Sequence, residues 1–63
     1  MKFRDLRRRL KDEGWIIVYQ SGSHQQWKHP GHPDRRVTLA GHDRDEVKPG
    51  TLISIFKQAR WKR

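Results

Sequence analysis

The chain has 63 residues, of which 15 are lysine or arginine and 7 are aspartate or glutamate, so its formal charge is +8, and it has no cysteine. So short a chain is expected to form one domain, residues 1–63, which hides only about 60% of its unfolded surface and has neither disulfides nor thiolate metal sites. The excess of cations favours a polyanionic partner, nucleic acid above all, and the charged N-terminus lacks the apolar run of a secretory signal or membrane span. We therefore expect a soluble, cytoplasmic protein with no membrane partner.

The first predicted element is a short amphipathic helix. Phe3, Leu6 and Leu10 recur at helical spacing, and Gly14 follows them where a left-handed C-terminal cap favours glycine. Opposite charges four residues apart support the same helix, namely Asp5 with Arg9, Arg8 with Asp12 and Arg9 with Glu13.

Three strands are predicted next. Residues 15–19 are a β-branched and aromatic run bounded by glycine, and Ser21-Gly22 then suits a hairpin turn, so residues 23–29 should return antiparallel. A loop is expected over residues 30–34, because proline and glycine cluster there, and residues 36–40 form a third, alternating strand.

A second helix is predicted to close the chain. After a polar loop over residues 41–47, Pro49 occupies the first helical position, and one apolar face follows, formed by Leu52, Ile55, Phe56 and Ala59. The order αβββα favours an α+β fold in which a three-stranded antiparallel sheet carries both helices on one face.

Strand parity divides the polar residues of this sheet. Trp27 is the one large apolar residue of the second strand, so it should face the helices, and alternation then puts His24, Gln26 and Lys28 on the opposite face. Arg36 and Thr38 join them if Val37 and Leu39 face the core. The first strand leaves its own parity open, because apolar residues occupy both of its faces.

The three tryptophans divide in a similar way. Trp15 and Trp27 are expected in the core, which in so small a domain needs large apolar side chains. Trp61 stands among basic residues beyond the last periodic position, so we expect it to be exposed and available to RNA or a protein partner.

Five stretches spread over the chain carry a further signal. They are Lys-Asp-Glu-Gly-Trp at 11–15, Gln-Ser-Gly-Ser-His at 20–24, Trp-Lys-His-Pro at 27–30, Val-Thr-Leu at 37–39 and Lys-Pro-Gly-Thr-Leu at 48–52. Together they resemble the HicA family of toxins from prokaryotic HicA-HicB toxin-antitoxin systems. The resemblance implies a double-stranded-RNA-binding-domain-like fold and an endoribonuclease that cleaves mRNA and is neutralised by a HicB-type antitoxin. It also implies that the histidine of the Gly-Ser-His motif, His24, is catalytic.

Two departures from the family pattern concern particular positions. Gln25 stands where many relatives have a second histidine, and parity turns it toward the core. The chain ends in Arg60-Trp61-Lys62-Arg63 where the family commonly has glycine followed by leucine.

The predicted site follows from these observations. His24 acts as general base on the ribose 2′-OH or as general acid on the leaving 5′-oxygen, without a metal or a small-molecule cofactor. The residues predicted to bind RNA are Ser23, Gln26, Lys28, Arg36 and Lys48.

Two other readings stay open from the residues alone. An exposed histidine at the start of a strand is ordinary, so the same fold could serve as a non-catalytic module that binds RNA by shape and phosphate contacts. A DNA-binding helix module fits less well, because neither predicted helix belongs to a helix-turn-helix.

Overall fold

The structure, a computed structural model, describes residues 1–62. Its elements follow the predicted order, and the α+β fold with an antiparallel sheet ordered β1-β2-β3 is confirmed. The bounds are α1 at Phe3–Asp12, β1 at Ile16–Ser21, β2 at His24–His29, β3 at His32–Ala40 and α2 at Pro49–Ala59. Within the described residues, neither helix is long and apolar enough to cross a lipid bilayer.

The core lies between the two helices and one face of the sheet. Its fully buried side chains come from every layer: Leu6 and Leu10 from α1, Trp27 from β2, Val37 and Leu39 from β3, and Ile55 from α2. Trp27 is 1% exposed and Trp15 is 4% exposed, so both predicted core tryptophans are confirmed. Val47, which the sequence placed in a polar loop, is also buried, because its amide donates to the carbonyl of Met1 and the loop runs along the N-terminus.

Both helices end in the same hydrogen-bonding pattern. At the end of α1, the amide of Gly14 donates to Lys11 and that of Trp15 to Leu10, and Gly14 has the predicted positive φ of 92°. At the end of α2, Arg60 and Trp61 make the equivalent bonds to Lys57 and Phe56. These are Schellman motifs, in which an apolar residue beyond the cap packs back on the last turn.

Trp61 is half-buried, so the prediction that it is exposed is wrong. Its ring packs edge-on against Phe56 with centroids 5.2 Å apart, and the Arg9 guanidinium lies 4.1 Å from its centroid. Its Nε1 donates to Glu13 at 2.7 Å. The cause of the error is that α1 supplies the partners, 48 residues earlier in the chain.

The first hairpin turn is shifted by one residue from the predicted Ser21-Gly22, and the second connection is shorter than the predicted loop over residues 30–34. Two-residue connections, Gly22-Ser23 and Pro30-Gly31, join the strands, and β3 begins at His32 because that residue pairs with His29. Residues 33–35 form an irregularity before Arg36 pairs with Lys28. Pro33 is tolerated there because it lies in this irregularity of an edge strand and has no paired residue in β2, so its missing amide removes no bond from the sheet.

Arg60 offers a direct test of helix capping. It has φ of 61°, a left-handed conformation that costs a residue with a Cβ roughly 1–2 kcal/mol. Arg60→Gly should therefore stabilise the fold by about 1 kcal/mol and raise Tm by about 4–8 °C in thermal unfolding. Arg60→Ala is the control: it removes the same side chain but keeps the Cβ, and an equal gain from it would contradict the capping explanation.

Glu13 gives a pH-dependent prediction. Partial burial acts to raise the pKa of its carboxyl, but hydrogen bonds from Trp61 and Arg9 and the charge of Arg9 outweigh it, so the pKa is lowered. A lowered pKa means that the carboxylate form stabilises the fold above the ordinary pKa, and this contribution is lost as the pH falls through the folded-state value. Glu13→Gln should thus unfold at a lower temperature than the wild type at pH 7. The difference should begin to shrink once the pH falls below about 4.3, the ordinary value for glutamate, and should vanish below the lowered pKa of Glu13. A difference that persists undiminished in acid would show that the charge of Glu13 has no part in it.

Candidate nucleic-acid interface

One face of the sheet carries no helix, and we call it the open face. The strand register arranges its residues in three cross-strand rows. The first row is Ser21, His24 and Ala40; the second is Tyr19, Gln26 and Thr38; the third is Ile16, Lys28 and Arg36. The structure therefore brings four of the predicted site residues, His24, Gln26, Lys28 and Arg36, onto one surface.

The parity of β1, which the sequence left open, is decided by a β-bulge. Ile17 pairs with Trp27, but the next paired residue is Tyr19, so Val18 is an extra residue in the strand. A bulge of this kind shifts the alternation of side chains. As a result both Ile16 and Tyr19 lie on the open face. Every residue of β1 is exposed, whichever face it is on.

His24 stands at the end of the open face that adjoins the first hairpin turn. Gly22 begins this turn with φ of 58°, as the first central position of a tight hairpin requires. His24 is exposed, and within residues 1–62 its ring forms no hydrogen bond. Its cross-strand neighbours, Ser21 and Ala40, are small, so the imidazole is accessible to a large ligand.

The two cations of the open face lie at its opposite end. Lys28 and Arg36 are directly paired, four residues along the strand from His24, which corresponds to roughly 13 Å. Like charges directly opposite each other destabilise a sheet. This pair therefore costs stability in the isolated chain, and an anion bound between the two side chains would relieve that cost.

Gln25 is 8% exposed and points to the helix side of β2, as parity predicted. Its side-chain oxygen accepts a hydrogen bond of 2.7 Å from Nε of Arg7. The other two guanidinium nitrogens of Arg7 donate to Asp43, at 2.7 Å, and to the carbonyl of Gly41. Arg7 thus ties α1 and the loop after β3 to the strand that carries His24.

The remaining two predicted RNA-binding residues lie off the open face. Ser23 is half-buried in the hairpin turn and lines a cavity on the helix side. Lys48 is exposed at the N-cap of α2, where it lines a second cavity together with Ala40, the cross-strand neighbour of His24.

His29 holds two segments of the fold together through both nitrogens of its ring. Its Nδ1 accepts a hydrogen bond from the amide of Gly31 at 2.9 Å, and its Nε2 lies 2.6 Å from the carbonyl oxygen of Glu13, to which it donates. The neutral ring therefore joins the end of α1 to the second hairpin turn. No three His, Cys, Asp or Glu side chains are grouped to hold a metal ion in the part of the chain that the structure describes.

Sequence reasoning missed Arg7 as a residue that supports the site. It reads as one arginine among several in α1, and its partners lie 18 and 36 residues further along the chain. The one available signal was Gln25, a polar residue assigned to the core side of β2, since such a residue requires a hydrogen-bonding partner.

Comparison with known proteins identifies one family. A family model described as HicA toxin of bacterial toxin-antitoxin matches residues 3–61, nearly the whole chain. No curated protein matches the chain.

The role of Arg7 can be measured by unfolding in denaturant. Arg7→Met keeps much of the side-chain volume but leaves the buried amide of Gln25 without its partner, so we expect a loss of about 1–3 kcal/mol. Arg8→Met is the matched control, because Arg8 is exposed on the same helix, and it should change stability by no more than about 0.5 kcal/mol. Equal effects of the two substitutions would contradict the assigned role.

Proposed function

We propose that this chain, which belongs to the HicA family of toxins from bacterial toxin-antitoxin systems, is an endoribonuclease that cleaves mRNA with His24 and thereby stops translation. The observation that carries the proposal is the open face, where an accessible histidine and a pair of destabilising cations share a surface that no helix covers. Cleavage takes place in the cytoplasm, where mRNA is found.

The chemistry rests on proton transfer by one imidazole. The ribose 2′-OH attacks the adjacent phosphorus, the bond from phosphorus to the 5′-oxygen breaks, and the products end in a 2′,3′-cyclic phosphate and a 5′-hydroxyl. One proton must leave the 2′-oxygen and another must reach the 5′-oxygen. Histidine suits either transfer, because it is the side chain that titrates near neutral pH.

The second transfer is assigned to solvent. Lys28 is four residues from His24 along β2, which separates their Cα atoms by roughly 13 Å, so its ammonium group is not adjacent to the imidazole. His24 is exposed, so a water molecule reaches the reacting group more readily than any cation of the open face.

Lys28 and Arg36 have a different role in this proposal. They hold the RNA backbone at a phosphate displaced from the one that is cleaved, and Gln26, which lies between them and His24, contacts the intervening nucleotide. A cation pair at that distance orients the strand, and its binding energy is available to position the 2′-OH beside the imidazole.

Membership of the family implies an antitoxin partner. In our proposal a HicB-type antitoxin lays acidic surface over Lys28 and Arg36, which compensates their charge and excludes RNA from His24.

Growth arrest and RNA ends test the proposal together. Induction of the wild-type chain should stop growth and produce new 5′-hydroxyl ends in mRNA, whereas His24→Ala should do neither while it still binds RNA. His32→Ala is the matched control, since His32 is an exposed histidine outside the three rows of the open face, and it should remain toxic. Circular dichroism establishes that each variant is folded.

Two results would contradict the proposed function. If His24→Ala arrests growth as the wild type does and RNA stays intact, the chain is an RNA-binding module and not an enzyme. If cleavage leaves 5′-phosphate ends and requires added Mg²⁺, the histidine mechanism is wrong.

A further inference from the structure

We propose that the helix side of the molecule holds a second length of the RNA strand, in a groove along α1 that leads to His24 around the first hairpin turn. This inference rests on the proposed function, and it extends the RNA-binding surface to residues outside the open face. We call this surface the α1 groove and define it by its cations Arg4, Arg8 and Lys11.

The α1 groove consists of two adjoining cavities. One, of about 420 Å³, is lined along α1 by Arg4, Arg8 and Lys11. The other, of about 400 Å³, continues from Lys11 to the hairpin residues Gly22 and Ser23. Arg7, Lys11 and Asp43 line both cavities, so the two adjoin along α1, and together they make up the channel of the α1 groove.

The cations of the α1 groove are available for a ligand. Arg4, Arg8 and Lys11 are exposed and are spaced by four and three residues, so they share one face of the helix. Although the sequence pairs Arg8 with Asp12, no ion pair joins them, and Arg9–Glu13 is the one such pair that α1 forms within residues 1–62. Asp43 is already paired with Arg7. The channel therefore presents three cations against the single carboxylate of Asp12.

The geometry connects this channel to the catalytic histidine. Ser23 lines the channel and His24 follows it directly, so their Cα atoms are about 3.8 Å apart although the two residues lie on different sides of the sheet. The turn between β1 and β2 is only two residues long, so this edge of the protein is narrow enough for a single strand of RNA to bend around it. An RNA backbone that leaves the channel at Ser23 thus arrives at His24, far from Lys28 and Arg36.

The spacing favours RNA over an acidic protein segment. The cations are aligned in single file along the helix, and successive phosphates of one strand present the same linear series of charges. Protein partners are usually anchored by large side chains that fill apolar pockets. The channel offers little apolar surface for them, since mainly charged and polar residues line both cavities.

The test measures binding of a fluorescent single-stranded RNA of about 12 nucleotides by anisotropy, with salt varied from about 50 to 200 mM. All proteins are full chains carrying His24→Ala, so that the probe stays intact. Arg8→Gln with Lys11→Gln should weaken binding about tenfold and reduce the slope of log K against log salt by about 1.4, because each phosphate contact to a single strand contributes about 0.7. Lys57→Gln with Lys62→Gln removes the same charge from exposed positions outside the channel and should leave the slope nearly unchanged.

The inference is overturned if the two double variants lose the same slope, since the effect is then one of net charge. It is also overturned if the His24→Ala chain does not bind the RNA, or if the channel variants lose binding of a polyglutamate peptide and not of RNA. A failure of the proposed function is recognised separately, because it appears as intact mRNA in cells that express the chain with His24 in place.

Discussion

The burial of Trp27 is the constraint on which the rest of the molecule depends. This side chain lies at the centre of the helix-facing side of the sheet, between Val37 on β3 and Ile17 on β1, and is 1% exposed. Side chains alternate strictly along a strand, so once Trp27 faces inward, His24 and Lys28 must face outward. A shift of β2 by one residue relative to its neighbours would bury Lys28 and expose Trp27. The packing that stabilises the fold is therefore the same feature that presents the histidine to solvent.

The end of α1 is the second point at which the structure is held together. The backbone carbonyl of Glu13 accepts from His29, and its side chain accepts from Arg9 and from Trp61. A helix terminus leaves carbonyl groups without partners, and here a hairpin turn and the C-terminal segment supply hydrogen bonds to that region. Trp61 and the preceding Arg60 are therefore part of the packing at this end of the molecule. Arg60 adopts the left-handed conformation, and Trp61 packs on the last turn of α2 as an apolar residue at that position should.

In the proposed enzyme, groups of cations lie on both sides of His24. Lys28 and Arg36 occupy one end of the open face, His24 the other, and the cations of the α1 groove lie beyond the hairpin turn. An RNA strand that is bound to both groups of cations is held on either side of His24. This restricts the motion of the nucleotide that reacts there. Gln25 fits this arrangement, since it faces away from the RNA and, through Arg7, supports the strand that carries His24.

The sequence by itself determined the order of the elements, the parity of β2 and β3 and the cap at Gly14, because each of these depends on residues close together in the chain or on the periodicity of burial. It also indicated the family, through the resemblance of motifs spread over the chain, and a family model over residues 3–61 bears this out. Only the tertiary structure decided the parity of β1, the burial of Val47 and Trp61, and the partners of Arg7. The bulge in β1 changes the alternation without changing composition, and the other contacts join segments as much as 48 residues apart. No local pattern records such contacts, because they arise when the helices pack on the sheet and bring together side chains whose neighbours in sequence are unrelated.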